Sequence, residues 1–373
     1  MTDTDSGMDL EALRDGVRGV LSVQASHEAV AAFTDAQGTL DPLLWGSAAE
    51  LGWLALSVPE DHCGLGLGAS EFSVVYEELG RAVAPLPVLG TLLIVEALTQ
   101  GGDAEQQAAW MPRLAAGELV GAVSALTPAG LSTTLTLSSD GAGGSVLNGV
   151  ADDLLDGAAA RVLLLLAREG EALRWVLVEP AVDGVSLEKV ELIDRTHHLG
   201  RAVFDDVALP AGRVLAVDAG VIADALIQHV GLALAADSIG GGEAILDVTL
   251  EYLKTRQQFG KPIGSFQALK HRCADHKIAL VAASALVAEA VAKAAAGTPD
   301  AYRYALSAKA LACEVYARIA QDAVQLHGGI GYTWEHACHL YLKRAKLNEQ
   351  LFGGPSVWLD AVSDRLLAAA WGG

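Results

Sequence analysis

Apolar residues fall three and four positions apart through much of the first hundred positions. The runs Leu44 to Leu54 (LWGSAAELGWL) and Glu71 to Val83 (EFSVVYEELGRAV) each place them on one face of a helix. The stretch Pro59 to Gly66 (PEDHCGLG) breaks that period with a proline and two glycines, and a further helix pair is predicted over Thr91 to Leu114. From about Gly121 the period shortens. Glycine-punctuated β-rich runs appear at Gly144–Leu147, Ala160–Ala167, Arg174–Val178, Val185–Val190 and Arg201–Val207, the pattern of a compact β domain. After Pro210 long helical periods return, over Ala219–Thr255, Phe266–Ala296, Ala301–Leu326 and a broken stretch from Glu335 onward, the pattern of a helix bundle. Gly240, Gly241 and Gly242 interrupt the first of these, where three glycines cost about 2–3 kcal/mol against alanine. Either a neighbouring helix or a ligand such as a flavin ring must approach that backbone closely.

Charge narrows the function classes. The chain of 373 residues carries 25 Lys+Arg against 46 Asp+Glu, a formal charge of −21, and has no basic run of the kind a nucleic-acid backbone requires. Any phosphate-bearing cofactor must therefore be held by a few placed cations and backbone N–H groups. The opening residues, MTDTDSGMDLEALRD, lack a basic stretch followed by an apolar core, so a cytoplasmic protein is expected. Apolar runs such as Val162 to Leu166 are far shorter than the roughly 20 residues that cross a bilayer, so no membrane span is expected. Cys63, Cys273, Cys313 and Cys338 have no C-x-x-C spacing and no clustered histidines, which indicates idle thiols and no metal site.

Two segments carry candidate chemistry. The first runs from Arg256 to Gln267 (RQQFGKPIGSFQ). It combines a fixed cation, a glycine turn, the aromatic Phe259, the amide of Gln258 and a new helix with Ser265 as its expected N-cap, a combination suited to a dinucleotide pyrophosphate. The second runs from Gln325 to Tyr332 (QLHGGIGY), where Gly328 and Gly329 end a helix and admit a ligand to the backbone while Gln325 offers an amide. A helix stop of this form needs no ligand by itself. In this order, about 70 residues apart, the two resemble the R-x-x-F-G-x-x-I-x-x-F-Q and Q-x-x-G-G-x-G-[YF] segments of the acyl-CoA dehydrogenase family. Upstream, Leu51–Glu60 (LGWLALSVPE), Glu77–Arg81 (EELGR) and Trp110–Glu118 (WMPRLAAGE) look like its N-terminal domain, so the resemblance covers nearly the whole chain.

The resemblance implies an α+β fold with an N-terminal α-helical domain (1–119), a middle β-barrel or sandwich domain (120–216) and a C-terminal four-helix bundle (217–373). It also implies FAD as cofactor and an acyl-CoA thioester as substrate. A carboxylate takes the α-proton while the β-hydrogen leaves as hydride to the flavin. Electron-transfer flavoprotein is a candidate acceptor. The family's usual base, a glutamate in Y-E-G-T after an A-K dipeptide, maps from Ala345–Lys346 onto Phe352, or onto Gly353 with a one-residue slip. The alternative base, about 26 residues before the arginine, maps onto Val230. None of these accepts a proton.

The middle domain departs too. Leu126 to Thr133 (LTPAGLST) stands where the family reads T-E-P-x-x-G-S-D, and Asp153 to Gly157 (DLLDG) stands where it reads W-I-T-N-G. In the family these segments contact the flavin of their own subunit, whereas the arginine and Gln-Gly-Gly segments reach a neighbour's. The chain thus keeps Arg256, Gln258, Phe259, Gln325, Gly328 and Gly329 as contacts made in trans and loses those made in cis. It resembles the base-less subunit of heteromeric, α2β2 actinobacterial acyl-CoA dehydrogenases, whose homologous partner carries the base. The small apolar residues of Ala301 to Ala323 are the expected partner face. Two other readings stand beside it: a homo-oligomer with a relocated base at Glu243, Glu349 or Asp237, and a non-enzymatic scaffold or acyl-CoA-binding protein.

Overall fold

The computed structural model describes residues 9–124, 126–141 and 143–371. Residues 1–8, which open the stretch searched for a leader, lie outside the described residues. Six helices come first: α1 (Leu10–Gln24), α2 (His27–Asp35), α3 (Pro42–Glu50), α4 (Ala69–Ala82), α5 (Val88–Gly101) and α6 (Ala104–Ala115). Their starts follow from local chemistry. Asp9 accepts from the Glu11 and Ala12 amides, Asp41 caps α3 with Pro42 in its first turn, and Asp103 and Gln106 form a reciprocal capping box on α6. The helix expected to reach Leu54 stops at Glu50, because Gly52 takes φ 77° and the chain turns back through Trp53.

The middle segment is one seven-stranded mixed sheet, a half-barrel: β1 (Gly121–Val123), β2 (Thr136–Ser139), β3 (Ser145–Leu155), β4 (Val162–Glu169), β5 (Ala172–Val178), β6 (Val185–Val190) and β7 (Leu199–Leu209). The order is β1-β4-β2-β3-β7-β6, with β5 pairing β4 antiparallel and β1 pairing it parallel. Its own core is a cluster of alternate residues that includes Leu137, Leu147, Leu163, Leu165, Val176, Phe204 and Val207.

Four long or medium helices follow: α7 (Ala219–Thr255), α8 (Gln267–Ala295), α9 (Ala301–His327) and α10 (Cys338–Gln350); α11 (Pro355–Trp371) closes the chain. A short hairpin of β8 (Gln257–Gln258) and β9 (Lys261–Pro262) joins α7 to α8. The α7 glycines serve packing between helices. A Cβ on Gly240 would land on the Glu77 carbonyl of α4, and one on Gly241 would land on the Tyr316 ring of α9. Ser265 does not cap α8: Ile263–Ser265 form a 3-10 turn, which carries the chain one residue further and leaves Phe266 at the N-cap without a side-chain bond. The N-terminal helices share their cores with the bundle. Trp53, Phe72 and Leu79 lie in one cluster with Leu232, Ile245 and Tyr316, and Leu93 and Trp110 lie in another with Ile222, Leu306 and Trp358.

Two helices, α7 and α8, are long and apolar enough to cross a membrane by length and composition, although the uncharged runs in the sequence are short. Most of the α7 stretch is inside the molecule, and most of the α8 stretch is not. Helix α8 buries Cys273, His276, Leu280, Ala283, Val287 and Ala290, one narrow stripe repeating every seven positions, and leaves Ile278 and Val281 on the surface. The expected partner face on Ala301 to Ala323 is corrected here. Ala305, Ala308, Ala312, Ile319 and Ala320 are buried within the chain's own bundle, so the uncovered apolar face belongs to α8. All four cysteines are free, and Cys63 is exposed while the other three are buried.

His229 on α7 stacks on Phe72 at 4.3 Å, and its Nε2 lies 3.2 Å from the Tyr76 hydroxyl. Burial lowers its pKa from 6.5 to about 3, so the ring is neutral in the fold. The unfolded chain takes up a proton that the folded chain refuses, so this contribution to stability is complete above pH 6.5 and is lost as the pH falls from there toward about 3. The slope is about 1.4 kcal/mol per pH unit. Urea unfolding across that window should show His229→Gln with a shallower acid limb than wild type by about one proton; parallel limbs would show that His229 already ionises in the fold.

Candidate functional site

The departures from the family pattern converge on one space. A cavity of about 800 Å3 opens between the sheet and the end of α10, lined by Leu126, Thr127, Thr133, Asp153, Leu155 and Phe352. Hydroxyls of Ser124, Ser132 and Thr134 add a polar wall; Asp152 and Asp153 add two carboxylates, and no Lys, Arg or His lines it among the described residues. Asp152 is bonded to Arg201 at 2.8 Å. Such walls fit a flat, partly apolar ring. They do not fit a pyrophosphate, which needs a cation or a helix N-terminus and here would face carboxylates.

Phe352 stands at φ 57° with Gly353 at φ 110°, so the base slot sits on a left-handed turn that aims an apolar ring at the cavity. Val230, the other slot, is fully buried in the core formed by α5, α6, α7 and α11. Behind Leu155 and Leu351, which line both spaces, the interior among Tyr76, Leu79, Asp237, Arg344 and Asn348 keeps about 40 Å3, room for a water and not for an acyl chain.

The remaining candidates sit elsewhere. None of Arg256, Gln258, Phe259, Gln325, Gly328 and Gly329 lines the cavity. They occupy the far end of α7 and α9, where Tyr252 stacks on His327 at 4.5 Å and donates to its carbonyl at 3.2 Å, fixing the hairpin beside the Gly-Gly turn. All six are exposed, Phe259 by 88%, and the neighbouring Tyr332 by 85%. The Arg256 guanidinium has no partner among the described residues, in a chain of net charge −21. Gly328 adopts φ 64°, ψ −139°, a conformation that a side chain would strain. The two segments therefore lie exposed at one end of the bundle, linked through Tyr252 and His327, apart from the chain's own cavity.

The three acids considered as relocated bases are each held by a cation or sit beside one. Glu243 pairs with Arg81; Glu349 lies 2.9 Å from Lys346 Nζ; Asp237 accepts from Arg344 at 3.0 Å and from Asn348 at 2.5 Å. Arg344 is the residue that the sequence did not flag. It is fully buried and donates to Asp194 at 3.1 Å, to Thr196 Oγ1 at 2.7 Å and to the Ala84 carbonyl at 3.0 Å as well. A K-R-A-K run reads as surface charge, so the signal was the wrong one. Asp156 was likewise missed. It adopts φ 55° and accepts from His197 Nδ1 at 2.8 Å and the His198 amide at 3.3 Å, and these imidazoles hold its carboxyl below the usual range against the opposing effect of burial.

Comparison with known proteins identifies the family. Residues 220–367 match the acyl-CoA dehydrogenase C-terminal domain and residues 8–118 match the acyl-CoA dehydrogenase N-terminal domain. The acyl-CoA dehydrogenase IpdE2 of Mycobacterium tuberculosis is 36% identical over 346 residues, which is 92% of this chain and 93% of that one. Among solved structures, the Tcur3481–Tcur3483 steroid ACAD, in a variant form, is 30% identical with a TM-score of 0.86 over 97% of this chain and 98% of that one. The ChsE4–ChsE5 complex from Mycobacterium tuberculosis is 25% identical with a TM-score of 0.88 over 98% and 99%. The chain belongs to the acyl-CoA dehydrogenase family, oxidoreductases that act on CH–CH donors and use FAD.

Replacing Arg344 by methionine leaves Asp194 and Asp237 buried without their cation, which should cost about 3–5 kcal/mol in denaturant unfolding. Adding Asp194→Asn and Asp237→Asn to Arg344→Met should recover part of that loss. A single variant within about 1 kcal/mol of wild type would mean that the acids are not buried as charges.

Proposed function

We propose that this chain is the base-less subunit of a heteromeric acyl-CoA dehydrogenase, completing the FAD site of a homologous partner that carries the carboxylate. The observation that carries the reading is the separation just described: an exposed Arg256–Phe259 and Gln325–Gly329 platform on one side, and on the other a cavity with Phe352 in the base slot and no cation. Similarity to the Tcur3481–Tcur3483 steroid ACAD and to the ChsE4–ChsE5 complex supports a partner subunit.

In the assembled site FAD supplies the hydride acceptor for the β-hydrogen, and this chain supplies binding. Arg256 offers a charge-assisted contact to diphosphate oxygens, Gln258 and Gln325 offer amides, Phe259 covers an aromatic face, and Gly328 and Gly329 let the ligand reach the backbone. The α-proton goes to the partner's carboxylate. No group in this chain's base slots takes it, and Asp237, Glu243 and Glu349 each lie beside a cation. The exposed α8 stripe with Ile278 and Val281 is the apolar surface for the partner, worth about 25 cal/mol per Å2 when covered. The steroid assignment of the similar Tcur3481–Tcur3483 enzyme makes a bulky polycyclic acyl-CoA the favoured substrate class. The wide hydroxyl-lined cavity favours a second reading, in which each chain also holds a flavin ring in cis.

Flavin absorbance against protein mass separates the two. The complex with its homologue should hold one FAD per pair of unlike chains, whereas one per chain would establish the second reading. Arg256→Ala should lower the flavin content of that complex, at a cost of about 1.5–3 kcal/mol in FAD binding, while circular dichroism shows the chain still folded. Unchanged flavin affinity would remove the trans contact.

A further inference from the structure

Where α9 ends and α10 begins, the chain gathers three groups that its linear spacing hides. His327, His336 and Cys338 bring ligand-capable atoms within 4.8 Å of one another. His327 is 98% buried by its 2% exposure, and Cys338 has none. The Nδ1 of His327 lies 2.8 Å from the Ala323 carbonyl, so that nitrogen carries the proton and donates it, leaving the lone pair on Nε2. That Nε2 is buried and has no partner among the described residues. A histidine whose Nδ1–H is held by a carbonyl and whose Nε2 is bare is oriented as a metal ligand is oriented. The Cys338 Sγ lies 3.4 Å from Nδ1, on the side of the ring that also faces the Ala323 carbonyl. His336, half-buried, packs its ring 4.4 Å from that of His327 and accepts the Cys338 amide at Nδ1 over a long 3.3 Å.

Several groups could have satisfied His327 Nε2 without an ion, and they are already engaged. Tyr252 covers one face of the ring and gives its hydroxyl to the His327 carbonyl. His339 bonds the Trp334 carbonyl at 3.2 Å and faces Lys343. Desolvating Nε2 has no return unless something occupies the space it faces.

We propose that His327, His336 and Cys338 form a binding site for one borderline-soft divalent ion of the Zn2+ class, with the fourth position left to water or an incoming ligand. Two imidazoles and a thiolate select such an ion over Mg2+ or Ca2+, which take oxygen donors. A tetrahedral ion at about 2.3 Å from sulfur and 2.0–2.1 Å from nitrogen holds its donors about 3.5 Å apart, so closing the site requires a rotation of the Cys338 side chain from the Nδ1 side of the ring toward Nε2. On binding, a metal–sulfur bond forms and the thiol proton leaves to solvent. The site lies directly under Gly328 and Gly329, but it rests on this chain's own side chains and not on the trans reading of that turn.

The probe is Co2+ titrated into the full, reduced, metal-free chain. Wild type should develop tetrahedral visible bands and a near-ultraviolet thiolate-to-cobalt charge-transfer band, saturating at one ion per chain and displaced by Zn2+. Cys338→Ala should lose the charge-transfer band, and Cys63→Ser, which removes the exposed thiol, should keep it. An octahedral spectrum without charge transfer in wild type, or a band that survives in Cys338→Ala, overturns the proposal. The wild-type spectrum decides alone if Cys338→Ala does not fold.

Discussion

The buried guanidinium of Arg344 is the point on which the three parts of this chain are fastened. Five donors in a fixed plane reach Ala84 after α4, Asp194 and Thr196 in the loop before β7, and Asp237 in the middle of α7. Asp194 is satisfied further by the Thr196 amide and hydroxyl, and Asp237 by Asn348. A charge pair in an apolar interior is seldom a large net gain over well-packed carbon, but it is intolerant of any displacement that leaves one member alone. The network therefore sets register more than it adds stability: helices at both ends of the chain and the sheet between them must meet at one point.

That constraint has a cost for catalysis in cis. Arg344, Asp237 and Asn348 occupy the junction behind the cavity, and about 40 Å3 is what they leave. The same acid that could have been read as a relocated base is the counter-ion of the clamp. Phe352, which follows the clamp helix α10, lines the cavity with a ring that neither takes a proton nor repels Asp152 and Asp153. An apolar ring at the mouth and a filled space behind it belong to one packing solution.

The architecture was legible because its signals are periodic. Helix α7 starts and stops at Ala219 and Thr255 as its apolar period predicts, and β6 spans Val185–Val190 as read. Signals that depend on two distant residues were not legible. The α7 glycines left packing and ligand binding equally open until Glu77 and Tyr316 were seen against them. The apolar run of α9 pointed to a partner, but composition does not say whose residues cover a face, and the chain's own helices cover it. Ser265 misled for a simpler reason, because a 3-10 turn absorbed it before the helix began. For the site, the residues that depart from the pattern did converge, at Leu126, Asp153, Leu155 and Phe352, whereas Arg344 and the His327–Cys338 cluster carry no linear signature.

The distribution of charge bears on the proposed division of labour. With 46 acids against 25 Lys and Arg, most cations are committed to partners inside the fold: Arg14 and Arg18 to Glu77 and Glu78, Arg213 to Glu179, Arg365 to Asp224, Arg344 to the clamp. Arg256 is one of the few arginines without a partner among the described residues, and it stands exposed at the base of the hairpin whose turn carries Phe259 and Gly260. Placed in the cavity it would have been neutralised by Asp152 and Asp153; placed outside, it presents its charge to whatever anion another chain brings. The cavity wall thus carries carboxylates, while the unpaired Arg256 charge lies outside it at the surface, the separation on which the proposed sharing of a phosphate-bearing ligand rests.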